Sequence, residues 1–175
     1  YGLPTVITNC SNNYGPFQFP EKLIPLIINN AINEKKLPIY GNGKQIRDWL
    51  YVEDHCNALI LILKKGKIGE TFNIGGNNEV TNLELVRSIC SILDSKIPRK
   101  RGKYSQLIKF VKDRPGHDFR YGLDTFKVKS QLKWSPLENM KTGLIKTVEW
   151  YLENPKWLKD NISQEYKKWI NTQYR

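Results

Sequence analysis

The sequence predicts an α/β fold. Short β-branched runs alternate with apolar residues at helical spacing, and Gly-, Asn- and Pro-rich turns separate them. Helical patterns dominate only in the last third. With 175 residues, 39% hydrophobic and 26% charged, the chain can bury a core. No apolar run approaches the roughly 18 to 20 residues that span a bilayer. The opening Tyr1-Gly2-Leu3-Pro4 has no basic start or apolar stretch of a signal peptide, so a soluble, cytoplasmic chain without membrane contact is expected. Cys10, Cys56 and Cys90 are widely spaced, with no CxxC and no nearby His pair. They are expected to be reduced core or near-core residues, and no metal site is expected.

Taken in order, Thr5-Val6-Ile7-Thr8 reads as a strand, and the polar run from Asn9 to Pro16 as the loop it empties into. Pro20 suits a first helical position, with Leu23, Ile24, Ile27, Ile28 and Ala31 on the apolar face. Pro25 fits that helix only if the first turn begins late. Ile46 to Val52 reads as a strand. Asp54 would cap the next helix, whose face would be Cys56, Leu59, Ile60 and Leu63. Thr71 to Ile74 is a second strand, followed by a turn at Gly75-Gly76-Asn77-Asn78. Thr81 and Glu84 then have capping-box spacing ahead of a helix presenting Leu83, Val86, Ile89, Cys90 and Leu93. A basic loop after Pro98, a strand from Leu107 to Val111 and a turn over 113–118 precede helices over 124–132, 138–153 and around Tyr166, Trp169 and Ile170.

The net charge of +11 raises the possibility of a nucleic-acid partner. The lysines are scattered, however, and the clusters at 64–67 and 99–103 fall where solvated loops are expected, so no nucleic acid is predicted. Gly41-Asn42-Gly43 begins a G-x-G-x-x-G pattern, but Ile46 takes its last place and a strand follows. Tyr40 and Lys44 match Y-x-x-x-K by letters, with two glycines between them that favour a turn over a helix. The chain opens without methionine and almost at once enters a strand, as a piece of something longer would.

A set of segments carries a resemblance: TNCSNNYGP at 8–16, FPEKLIPL at 19–26, LPIYGNGKQIRDWLYVEDH at 37–55, FNIGG at 72–76, DRPGHD at 113–118 and KTVEWYLEN at 146–154. Together they resemble the C-terminal half of the dTDP-glucose 4,6-dehydratase family, extended short-chain dehydrogenases/reductases acting on a sugar nucleotide. The resemblance implies that residues 1–20 end a Rossmann-type domain. Residues 21–175 would then form mostly a substrate-binding domain, with some segments returning to the Rossmann-type core.

It also implies a site. Arg47 would meet the diphosphate of dTDP-glucose, where a guanidinium fork pairs well with phosphate oxygens. Lys22 and Leu23 would lie at the base, and Pro38, Ile39 and Tyr40 at the edge of the base pocket; Leu23 and Tyr40 are equally good core residues. Asn82, as the second residue of its helix, would sit where backbone donors favour an anion. Asp113, Arg114, Pro115, Gly116 and His117 would form a phosphate- and ribose-facing loop, with His117 a hydrogen-bonding partner. Asn12 would touch the sugar nucleotide, and Asn13 the nicotinamide end of the cofactor NAD. His55 is expected to be solvent-facing or satisfied.

The implied reaction is redox-neutral. NAD takes a hydride from C4, water leaves across C5 and C6, and the hydride returns to C6, giving dTDP-4-keto-6-deoxyglucose. That chemistry needs a tyrosine–lysine pair and an acid and base which the family carries before Tyr1, so no catalytic residue is expected in this chain and the isolated chain is expected to be inactive. The family homodimer, formed through helices of the other half, need not survive here. A UDP-sugar epimerase or decarboxylase fragment and a basic nucleic-acid-binding module are the alternative functions.

Overall fold

The computed structural model describes residues 2–161, so the helix expected around Tyr166, Trp169 and Ile170 lies outside the described residues. The elements run β1 (Ile7–Cys10), β2 (Asn12–Tyr14), α1 (Leu23–Ile32), β3 (Leu37–Tyr40), β4 (Ile46–Tyr51), α2 (Val52–Lys65), β5 (Thr71–Ile74), β6 (Glu79–Thr81), α3 (Asn82–Lys96), a 3₁₀ turn (Tyr104–Leu107), β7 (Ile108–Val111), β8 (Arg120–Tyr121), α4 (Phe126–Leu132), α5 (Met140–Glu153) and α6 (Pro155–Asp160). The chain is α/β, and it divides into two compact units assembled from interleaved segments.

The first unit comprises 1–15, 46–80 and 120–143. Its strands pair in parallel: β1 with β5, in register Ile7 to Thr71, and β4 with both β2 and β8. Leu50, Ala58, Ile62, Phe72, Ile74, Val128 and Trp134 form one buried cluster. Lys127, from α4, holds its ammonium 4.8 Å from the centre of the Phe72 ring and donates to the Thr71 carbonyl. Tyr14 lies edge-on to Trp49 and Tyr51, and burial, followed by the nearby Glu138, pushes its phenol well above the usual tyrosine range.

Of the described residues, the second unit comprises 16–45, 81–119 and 144–161. Here α1 packs on α3, burying Ile24, Ile27 and Ile28 in the one, and Val86, Ile89 and Leu93 in the other. Strands β3 and β7 pair in parallel, from Leu37 with Ile108 to Tyr40 with Val111. Phe17, Trp150 and Trp157 cluster by their rings, and the Tyr151 hydroxyl donates to the Gln18 carbonyl at 2.8 Å.

Several expectations need correction. The first strand begins at Ile7, and Asn9–Tyr14, expected to be loop, is largely strand: its backbone pairs with β5 and β4, whatever its polar side chains prefer. Helix α1 starts at Leu23, not at Pro20. Pro25 therefore sits in the first turn, where its missing N–H has no helical partner to lose. Asp54 is not a cap: Tyr51 precedes α2, and Asp54 is buried inside the first turn, where its Oδ2 accepts from the Glu138 N–H at 2.9 Å.

The buried face of α2 is Asp54, Ala58 and Ile62, and Cys56, Ile60 and Leu63 are exposed. Cys10 is half-buried and Cys90 buried, so of the three cysteines Cys56 departs from the core expectation. The capping box at Thr81 forms as expected: the Thr81 side chain accepts from the Glu84 N–H, and Glu84 accepts from the Thr81 N–H.

Candidate functional site

Within the first unit, the predicted contacts fall on two paired strands. Asn12 and Asn13 lie on β2, opposite Trp49 and Leu50 of β4, and Arg47 lies two positions before Trp49 on that same strand. Arg47 is 8% exposed, and its Nη1 donates to the Ile46 carbonyl at 2.7 Å. A nearly buried guanidinium bonded to its own strand presents a rigid cation rather than a mobile one. Asp48, next along the strand, uses the other side. Its two carboxylate oxygens accept the N–H groups of Gly76, at 2.9 Å, and of Asn78, at 2.7 Å. The Asp48 carboxylate is thus committed to the turn after β5.

Asn13 fits the cofactor less well. Its amide nitrogen donates to the Ser11 carbonyl at 3.1 Å and to the Cys10 sulfur at 3.3 Å, which ties it to the junction between β1 and β2. With no glycine-rich strand-to-helix turn in the sequence, the residues present do not by themselves make a dinucleotide site.

The second unit gathers a tighter group. Strand β3 carries Pro38 and Ile39, both buried, and ends at the half-buried Tyr40. Neither Tyr40 nor Leu23 is a fully buried core residue. The His117 ring stands edge-on to Tyr40, with centroids 6.0 Å apart. Asp113 joins the group: its Oδ1 lies 2.7 Å from His117 Nδ1 and accepts the Arg114 N–H at 2.9 Å, and its Oδ2 accepts from Gln45 Nε2 at 2.7 Å. Arg114, Pro115 and Gly116 are exposed on the loop between Asp113 and His117. Lys22 is exposed and pairs with Glu21 at 2.8 Å.

Asn82 is the first residue of α3, not the second, and its helix end is not open to an anion in the way expected. Its N–H donates to the Gln45 carbonyl and that of Leu83 to the Gly43 carbonyl, each at 3.0 Å, so the first donors are spent on the turn after β3. That turn also disposes of the Tyr40–Lys44 letter match. Gly41 and Gly43 have φ of +56° and +71°, and no helical turn brings positions 40 and 44 together. Gln45 is the residue that sequence reasoning missed: it stands in a polar turn, and its partner is 68 positions away. His55 is half-buried, and burial lowers its pKa.

Among the described residues, no group of three His, Cys, Asp or Glu is placed to hold a metal ion. None of the described helices is long and apolar enough to cross a membrane.

Over 174 residues, 99% of this chain, the sequence is 56% identical to the dTDP-glucose 4,6-dehydratase of Salmonella typhimurium. It is 55% identical, over the same share, to dTDP-glucose 4,6-dehydratase 1 of Escherichia coli. The chain spans about half the length of these relatives, 48% in each case. The crystal structure of the Bacillus anthracis dTDP-glucose 4,6-dehydratase in complex with NAD superimposes with a TM-score of 0.83 at 48% identity, covering 92% of this chain and 49% of that one. A UDP-glucose 4-epimerase from Thermotoga maritima, solved with UDP-glucose, matches at 0.76 and 27%, covering 89% and 48%. These neighbours place the α/β units in the extended Rossmann-type class. The family model described as GDP-mannose 4,6 dehydratase matches residues 1–147, and it is to this family that the chain belongs.

Proposed function

We propose that the chain is the nucleotide-holding, C-terminal half of a dTDP-glucose 4,6-dehydratase, an NAD-dependent lyase that makes dTDP-4-keto-6-deoxyglucose. The reading is carried by the 56% identity to a dTDP-glucose 4,6-dehydratase along a chain whose β4 bears a nearly buried arginine. Two UDP-sugar epimerase neighbours are 27% and 29% identical, well below the dehydratases, which favours a dTDP-sugar over a UDP-sugar.

In this reading the first unit continues the Rossmann-type core and contributes Arg47 and Asn12 to the sugar nucleotide, with Asn13 at the cofactor edge. Lys22, Leu23, Pro38, Ile39 and Tyr40 are read as base contacts, the 113–117 loop as a ribose and phosphate contact, and Asn82 as a contact through its side chain alone, since its helix-end donors are spent. NAD, when bound to the complete enzyme, supplies a hydride acceptor that returns its hydride. This chain binds and orients the nucleotide and supplies no proton-transfer group to the reaction. The working enzyme is a cytoplasmic homodimer in this proposal, and the chain alone is inactive.

Calorimetric titration with dTDP and with UDP tests it. Saturable dTDP binding is expected, weaker for UDP, and about 10- to 100-fold weaker in Arg47→Ala, as expected for a lost hydrogen bond to a charged group. Equal or tighter UDP binding, or no dTDP binding by a folded chain, would overturn the reading.

A further inference from the structure

His117 exposes 6% of its side chain, with Nδ1 held 2.7 Å from Asp113 Oδ1. The bond with His117 keeps the Asp113 carboxyl below the usual carboxylate range, against the opposing effect of burial. Asp113 is therefore ionised at neutral pH and has no proton to give, which makes Nδ1–H the donor and leaves Nε2 as the ring nitrogen not committed to Asp113.

What fixes the carboxylate arrives from a distant turn, as Gln45 Nε2 donates to Oδ2 at 2.7 Å. Gln45 is 6% exposed, and its Oε1 is buried with no hydrogen-bond partner among the described residues. Methionine would fill that space without an unsatisfied acceptor, so it is the donor end of the amide that the site uses. Gly41 makes room for the contact: a Cβ there would stand 2.8 Å from Asp113 Oδ2, and its φ of +56° already disfavours a side chain.

We propose that Gln45 is a positioning residue for nucleotide binding: by holding the Asp113 carboxylate it sets the tautomer and ring orientation of His117, so that Nε2 faces the ribose–diphosphate end of the ligand. From that fixed ring Nε2 accepts from a sugar hydroxyl when neutral, or donates to a phosphate oxygen when charged. The proposal rests on the reading above, that the 113–117 loop faces a sugar nucleotide.

The test uses the 175-residue chain labelled with ¹⁵N-histidine, which holds two histidines, His55 and His117. His117→Asn assigns the signals. The wild-type His117 should show a single Nδ1–H tautomer, and Gln45→Met a mixture, with dTDP affinity about tenfold weaker, the size of one such hydrogen bond. In a His117→Ala background, Gln45→Met should change affinity less than twofold. An unchanged tautomer in Gln45→Met, or the same loss of affinity with and without His117, would overturn the proposal. Should Gln45→Met fail to fold, Gln45→Leu, which removes the same donor, is read the same way. A folded wild-type chain that takes no dTDP refutes the nucleotide reading alone, and the tautomer comparison still decides what Gln45 does to His117.

Discussion

Asp48→Asn should lower stability and leave nucleotide affinity near that of the wild type, while Arg47→Ala, one residue earlier, should do the reverse. Asp48 is 2% exposed, and each carboxylate oxygen takes one backbone N–H of the turn after β5. Asparagine has one acceptor oxygen, so one N–H loses its partner and meets an amide NH₂. The other keeps a bond that is no longer charge-assisted. A hydrogen bond to a charged group contributes about 1.5–3 kcal/mol, so losing one and weakening the other should cost about 2–4 kcal/mol. The turn cannot relax against the strand, because Gly76 is pressed onto it: a Cβ at Gly76 would fall 1.8 Å from the Trp49 carbonyl oxygen. Urea unfolding, followed by tryptophan fluorescence and circular dichroism, measures the loss, and dTDP titration of the same preparations measures affinity. A loss below about 1 kcal/mol, or an affinity loss in Asp48→Asn equal to that of Arg47→Ala, would refute the division of labour between the two faces of β4.

Thr81→Ala removes the capping box of α3 and should cost about 1 kcal/mol in urea unfolding. Glu84 is held below its usual range, first by the Thr81 hydroxyl, so the contribution of the box should be present above the ordinary glutamate pKa and fade as pH falls through the lowered value. Burial raises the phenols of Tyr14 and Tyr151 above the usual range. Stability tied to them is full below their unfolded pKa of about 10 and is lost as pH climbs above it, and ultraviolet titration should find both un-ionised in the folded chain at that pH. With a thiol reagent at pH 8, Cys56 should react in the folded chain, whereas Cys90, buried and with its pKa pushed up to about 12, should react only after denaturant is added.

Helix α3 was legible because its signals are local: Thr81 and Glu84 are three residues apart, and its apolar positions keep a clear helical period. The candidate contacts within 37–55 and 113–118 came from a family resemblance, not from local signals of this kind. The face of α2 was not legible, because residues 59–63 are apolar without a break and every orientation of such a helix offers a greasy stripe. Its packing chose Ala58 and Ile62 and put the charged Asp54 in line with them, because the Glu138 N–H satisfies the carboxylate from 84 positions away.

The sequence by itself determined the alternation of strands and helices, the capped start of α3 and the cation on β4, since each is written in neighbouring residues. Tertiary structure alone decided that Asn12-Asn13-Tyr14 is a strand, by supplying β4 as a partner for a backbone whose side chains favour a turn. It also decided that Gln45 and Asp113 meet, because β3 and β7 pair side by side and bring the turn after one against the loop after the other.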